Sequence, residues 1–255
     1  MAARQSGEPS LAVVIPTLDE AHNIPAQLER LLAAADPLDR ADELVVSDGG
    51  SGDATCALAR EGGAQVLTGA RGRGEQLGAG ARVARADVLV FLHADNRLPP
   101  GSLRALRGHF ARTSLGAAGL RQRIAARGWF YRAVERAADR RVRRGIVYGD
   151  STLCVRRELY ERSGGFAPTP LFEDLELSRR LATLARIELL SDVFVEVDAR
   201  RWRREGALTA TLRNWALRVA FELGAAPERL ARWYPPSSSG SRRTPARDAD
   251  PEPNR

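Results

Sequence analysis

The sequence predicts an α/β protein with a mostly parallel central sheet flanked by helices. Three observations carry that reading. Short apolar runs at residues 11–15, 43–47, 64–68 and 87–92 alternate with helical segments, as in successive βαβ units. Each run is closed by turn residues and is too short for a buried helix, so it reads as a strand covered on both faces. Right-handed crossovers then gather the turns after these strands on one edge, where α/β sheets bind ligands.

The elements follow in order. The first strand ends at Pro16-Thr17, and Asn23 precedes a helix with Pro25 in its first turn and Ile24, Leu28, Leu31 and Leu32 on one face. Asn23 is expected to cap it. The second strand empties into Asp48-Gly49-Gly50-Ser51-Gly52-Asp53, whose glycines permit close approach by a ligand. Asp53 suits the N-cap of a helix over 54–61, stopped by Gly62-Gly63. After the third strand, a loop over 69–74 leads to a helix over 75–85. The fourth strand ends in His93-Ala94-Asp95-Asn96. Asp95 there is placed either to hold a phosphate-bound metal or to cap the helix after Pro99-Pro100.

Beyond residue 100 the rhythm changes. A strand is expected at 117–124, an Arg-rich helix at 129–144, a strand at 152–155 and a helix at 158–163. A helix with Leu177, Leu181 and Leu184 on one face follows, then strands at 188–190 and 193–197 and an amphipathic helix at 208–223. The expected organisation is a flexible 1–10, one domain over 11–234 divided near residue 100 into two halves, and a disordered 235–255.

The chain of 255 residues carries a net charge of +7, and all 39 basic residues are Arg. Such a balance favours anionic partners. Cys56 and Cys154 have neither CxxC nor metal-ligand spacing, so both read as small core residues in a reducing compartment. Residues 1–10 lack the apolar core of a signal peptide, and no apolar stretch reaches the roughly 18–20 residues needed to span a bilayer. The expectation is a cytoplasmic protein, with attachment to the inner face of the cell membrane open.

Several motifs share one context: Val13-Val14-Ile15-Pro16-Thr17-Leu18-Asp19-Glu20 with Asn23, Asp48-Gly49-Gly50-Ser51-Gly52-Asp53-Ala54-Thr55, and Phe91-Leu92-His93-Ala94-Asp95. Gly149-Asp150, Gly164-Gly165-Phe166, Glu173-Asp174-Leu175-Glu176-Leu177 and Arg201-Trp202 extend the set. Together they resemble the inverting family 2 glycosyltransferases of the GT-A fold, from about residue 11 to 234. Gly72-Arg73 with Gln76, and His-Ala-Asp in place of Asp-x-Asp, resemble a small soluble subgroup labelled as arsenosugar- or carotenoid-type transferases.

The resemblance implies a hexosyl transfer from a nucleoside-diphosphate sugar, such as a UDP-sugar, to a hydroxyl acceptor that can be lipid-linked or isoprenoid. It places Pro16, Thr17, Glu20, Asp48 and Arg73 on the donor, with Asp48 accepting a ring N–H of uracil or guanine. For Thr17 and Glu20 a capping role before the first helix competes. Asp95 would hold Mg²⁺ or Mn²⁺ on the diphosphate, and His93, standing where the family has an acid, is a candidate second ligand. Asp174 matches the general base; two acids at a helix start are also favoured by the macrodipole. Asp150, Glu173, Arg201 and Trp202 fall on the acceptor side.

Other classes fit less well. The Gln that precedes Arg-Trp in processive synthases is missing here. Sugar nucleotidyltransferases need a Gly-rich basic loop after the first strand, where this chain has the acidic 16–20 segment. The Arg-rich helix with Trp129 and Phe130 reads as a solvated face or an anionic-membrane surface. No helix-turn-helix, zinc-finger or RRM signature accompanies it, so nucleic acid is not expected as a partner. A non-catalytic sugar-nucleotide or interaction module with a degenerate metal site is the alternative.

Overall fold

A computed structural model describes residues 8–69, 71–112, 114–199 and 206–233. At its centre is β1 (Leu11–Thr17), every residue of which is buried. Its neighbours are β2 (Glu43–Asp48) and β4 (Val88–Phe91), both parallel to it, with β3 (Gln65–Thr68) outside β2. Alternate residues of a strand face opposite ways. Leu11, Val13, Ile15, Val88 and Val90 therefore pack on α1 (Ile24–Leu32) and α4 (Ser102–Ala111) through Leu28, Leu31, Leu103 and Phe110. Ala12, Val14, Leu89 and Phe91 pack on the other side, on α3 (Arg73–Val83) and α7 (Glu173–Leu184) through Leu77, Ala81, Leu177 and Leu181. Burial on both faces is why these strands read as unbroken apolar runs. Gly80 lets α3 sit close: a Cβ there would fall 2.3 Å from Val14 Cγ1.

The eight-stranded sheet runs β3-β2-β1-β4-β7-β6-β8-β5. Its half built from β1 to β4 is parallel, as expected. The other half is mixed, because β7 (Leu153–Arg156) enters antiparallel between β4 and β6 (Ala117–Ile124), and β5 (Asn96–Arg97) pairs antiparallel with β8 (Ile187–Val197). That insertion positions the site: with Phe91 opposite Leu153, the turn before β7 lies beside the residues that follow β4.

Several expectations are corrected. The two strands expected at 188–197 are one strand, β8, which changes register between Leu120 and Arg121 of β6. Helix α3 starts at Arg73, so Arg73 belongs to a helix terminus and not to a loop. Asn23 does not cap α1 with its side chain; its amide donates to Glu20 Oε2 at 2.6 Å instead. Leu184 is exposed at the end of α7, and Cys56, in α2 (Thr55–Glu61), is half-buried, whereas Cys154 is core. Asp53 is not the N-cap of α2, which is Ala54; it sits one residue earlier and accepts Thr55 N at 2.9 Å. Pro9 and Ser10 are held to the body, Pro9 O by Arg107 and Ser10 N by Asp87. The rest of the expected flexible start, 1–7, and the expected tail from 235 onward lie outside the described residues.

The cap of α4 comes from elsewhere in the chain. Asp39, buried in the 3₁₀ turn Pro37–Asp39, accepts Gly101 N at 2.6 Å and Leu103 N at 2.9 Å and pairs with Arg30 at 2.6 Å. Asp39→Ala is expected to cost about 2 kcal/mol, combining a lost cap with a stranded half-buried guanidinium. Urea unfolding measures it. A midpoint equal to wild type would show that the cap contributes nothing.

Candidate active site

Asp95 is thereby released from the capping role. It is exposed in the turn after β4 and, among the described residues, makes no hydrogen bond or ion pair. A carboxylate left open at a carboxyl edge of a parallel sheet is placed for a ligand. Half-buried His93 lies two residues earlier. Its ring packs on the turn Gly149–Ser151: a Cβ on Gly149 would sit 2.1 Å from the imidazole, so any side chain there would displace the ring. Burial first, then the Arg73 charge, holds His93 below the ordinary histidine range; Asp95, Asp174 and Asp150 oppose this. The ring is a neutral imidazole near neutral pH, able to ligate or accept a hydrogen bond.

The same turn meets α7. Gly149 N donates to Asp174 Oδ2 at 2.9 Å, and Leu175 N donates to Asp174 Oδ1 at 2.7 Å. Burial, and then the Glu173 carboxylate, raise Asp174 to about 6, against the Arg73 charge and the two N–H groups. Glu173 is itself buried: Oε1 pairs with Arg73 Nε at 2.7 Å, and Oε2 has no partner. Arg73 and Glu173 thus join α3 to α7. Gly74 permits the approach, since a Cβ there would fall 2.3 Å from Ala167 O. Asp150 Oδ1 accepts from Arg141 Nη2 at 3.2 Å. Arg201 and Trp202 lie outside the described residues.

In the parallel half, Pro16 and Thr17 end β1 beside Ser47 and Asp48 of β2. Asp48 is buried, and its carboxylate organises the loop behind it. Oδ2 accepts Gly50 N at 2.9 Å and Ser51 N at 2.8 Å; Oδ1 accepts Thr17 Oγ1 at 3.0 Å and Ser51 Oγ. These bonds outweigh burial and hold Asp48 below the usual carboxylate range. A base N–H reaching Asp48 would take the place of Ser51 Oγ. Glu20 sits at the entry of α1, its backbone N–H bonded to Thr55 Oγ1 at 2.8 Å.

Three positions beyond the sequence-based set prove structural to the site. Gln76 Nε2 donates to Thr17 O at 2.7 Å and Ser47 O at 2.8 Å, spanning the carboxyl ends of β1 and β2. Gln27 Nε2 donates to His93 O at 3.2 Å and to Asn96 O. Asn96 Nδ2 donates to Gly149 O at 3.3 Å. Gln76 stands in the Gly-Arg-x-x-Gln pattern and was legible there; Gln27 and Asn96 carried no sequence signal. Among the described residues, Asp19 after β1, Thr152 before β7 and Phe172 before α7 have positive φ. For β-branched Thr152 that conformation is strained, as occurs where a scaffold over-determines a site.

The comparisons accord with this geometry. A relative from Pseudomonas aeruginosa, an undecaprenyl-phosphate 4-deoxy-4-formamido-L-arabinose transferase, is 33% identical over 167 residues, covering 59% of this chain and 48% of its own length. One of the same name from Aeromonas hydrophila is 28% identical over 158 residues, covering 57% of this chain and 48% of its own. The chain thus spans about half the length of the curated relatives it matches. Among solved structures, a Pyrobaculum calidifontis mannosyltransferase in complex with GDP-Man and Mn²⁺ superposes with TM-score 0.63 at 22% identity, over 89% of this chain and 68% of that one. S. aureus TarS in complex with UDP-GlcNAc superposes with TM-score 0.60 at 17% identity, over 74% and 58%. These likenesses assign the GT-A fold. The family model described as Glycosyl transferase family 2 matches residues 12–169, and the chain belongs to that family.

Proposed function

We propose that this protein transfers a sugar from a nucleoside-diphosphate sugar to an acceptor hydroxyl with inversion, Asp174 acting as general base. The observation that carries this reading is the junction at Gly149. One turn packs against His93 on the donor side and bonds Asp174 on the acceptor side. A base must lie within hydrogen-bond reach of the proton it takes, across from the leaving group; contact of one turn with both His93 and Asp174 supports this reading.

Pro16, Thr17, Glu20, Asp48 and Arg73 line the donor; Asp150 and Glu173, with Arg201 and Trp202, serve the acceptor. Among the described residues no three His, Cys, Asp or Glu groups form a cage that could hold a metal by itself. Open Asp95, with neutral His93 near it, instead suits a cation that draws most of its ligands from diphosphate and water, as Mg²⁺ commonly does and Mn²⁺ can. Such a cation would neutralise the departing diphosphate. The names of the curated relatives support a lipid-borne acceptor. The His-Ala-Asp and Gly-Arg-x-x-Gln features keep the arsenosugar- or carotenoid-type subgroup as a second guide to acceptors worth assaying.

A panel of UDP- and GDP-sugars with Mn²⁺ or Mg²⁺ tests the reading, scoring thermal shift and nucleoside diphosphate release. One donor is expected to stabilise the protein in a metal-dependent way. Asp95→Asn is expected to weaken that metal dependence by roughly tenfold or more. Stabilisation without release or transfer would favour the non-catalytic module; no response to any donor would remove the nucleotide-sugar reading.

A further inference from the structure

Helix α8 (Ala207–Glu222) has two apolar faces, and among the described residues only one packs against the body. Leu217, Ala220 and Phe221 pack on Leu171, Phe172 and Leu230, the last from α9 (Pro227–Ala231). Away from them, Leu212, Trp215, Ala216, Val219 and Leu223 recur at helical spacing as a second stripe. In it Leu212 is 55% exposed, Trp215 65% and Leu223 83%, with Trp233 75% exposed just beyond α9. A soluble surface seldom leaves contiguous tryptophan and leucine open unless something binds there.

Beside this stripe is a basic cleft. Arg218, one turn beyond Trp215, faces α5 (Trp129–Arg143), and a cleft of about 280 Å³ between them is lined by Arg140, Arg141, Arg144 and Arg218 with Ala137 and Ile146. Arg141 is paired with Asp150, and Arg218 with Glu222 at 3.1 Å. Exposed Arg140 and Arg144 have no acidic partner among the described residues. Next to the cleft, Tyr148 lies under Arg141, with its ring centre 4.0 Å from the guanidinium carbon, and 6.0 Å from that of Arg218. The Tyr148 hydroxyl and Arg141 Nε are both buried without a hydrogen-bond partner. Exposed Arg140 and Arg144, beside Arg141 and Arg218, make the cleft suited to an anion with several acceptor oxygens.

We propose that the cleft takes the phosphate of a membrane lipid while the outward stripe of α8 lies in the headgroup region of the same bilayer. Apolar side chains, tryptophan and arginine on one surface form the combination that anionic bilayers attract. Residues 234–255 contain no Leu, Ile, Val, Met, Phe or Trp. No residue assigned to donor binding or to proton transfer enters the proposal. A failed lipid test therefore leaves the transfer reading standing, and the reverse.

Flotation of the full chain with phosphatidylcholine vesicles, with and without phosphatidic acid, tests it. Binding is expected only with phosphatidic acid. Arg140→Ser with Arg144→Ser should weaken it by roughly tenfold or more, and Trp215→Ser with Leu223→Ser should abolish it. Both variants should melt as wild type does, since the replaced side chains are exposed. Inorganic phosphate at matching concentration should not displace the protein from vesicles. The proposal is overturned if the protein does not float, if inorganic phosphate displaces it as well as lipid holds it, or if Trp215→Ser instead breaks a dimer. The last outcome would assign the stripe to a second copy of this chain.

Discussion

Asp174→Asn is expected to lower sugar transfer by about a hundredfold to ten-thousandfold, the span usual for removal of a general base. Donor binding should persist, since Asp95 and the strand ends that would hold the diphosphate are untouched. The asparagine keeps one acceptor oxygen for Gly149 N or Leu175 N, the two donors that Asp174 now serves. A base must be ionised to act. Burial and the Glu173 charge raise Asp174 to about 6, so kcat/KM should climb as pH passes upward through about 6 and level off above it. The same shift has a stability consequence of definite sign. A carboxylate raised in the folded state favours folding in its protonated form, and that contribution is lost as pH rises from the unfolded value of 3.8 to about 6. The asparagine variant should lack this pH dependence. Steady-state transfer, donor thermal shift and unfolding from about pH 3 to about pH 7, roughly one unit beyond 3.8 and about 6, check the set. Undiminished turnover by Asp174→Asn would remove the assignment.

The second large effect belongs to Arg73→Met. Glu173 is buried, and Arg73 Nε is the partner of Oε1 while Oε2 has none. Removing the guanidinium strands a charge, which should cost about 3 kcal/mol, the lower end for breaking a buried pair because Arg73 is partly exposed. The Arg73 charge also lowers Asp174, so its loss should move the acidic limb of the pH profile upward. Arg73→Met with Glu173→Gln removes both opposing charges. It should recover most of the stability and, because the Glu173 influence is the larger, place the limb below that of wild type. Urea unfolding alongside pH-rate profiles decides it. A single variant as stable as wild type would show that the pair is not the link between α3 and α7.

The parallel half of the fold was legible because β1, β2 and β4 are covered on both faces, which writes itself into the chain as unbroken apolar runs. The mixed half was less so. Whether a strand enters parallel or antiparallel leaves little trace in its composition, and β7 reads the same either way. Asp95 shows the same boundary within the site. Its position after β4 was readable, but spacing alone fitted two roles equally; that Asp39, 56 positions earlier in the numbering, supplies the cap of α4 was not readable. Gln27 and Asn96 were illegible for a related reason. A buried amide acquires meaning only from the carbonyls it faces, and those come from distant segments.

By itself, then, the sequence determined the α/β class, the family, and the chemistry available at each strand end, because local pattern and side-chain type decide these. The tertiary structure alone decided which groups meet. The antiparallel entry of β7 carries the Gly149 turn to the end of β4, and this sets His93 against Gly149 and Gly149 against Asp174. Burial and neighbouring charge, which exist only after folding, then turn an ordinary aspartate into one poised to take a proton near pH 6.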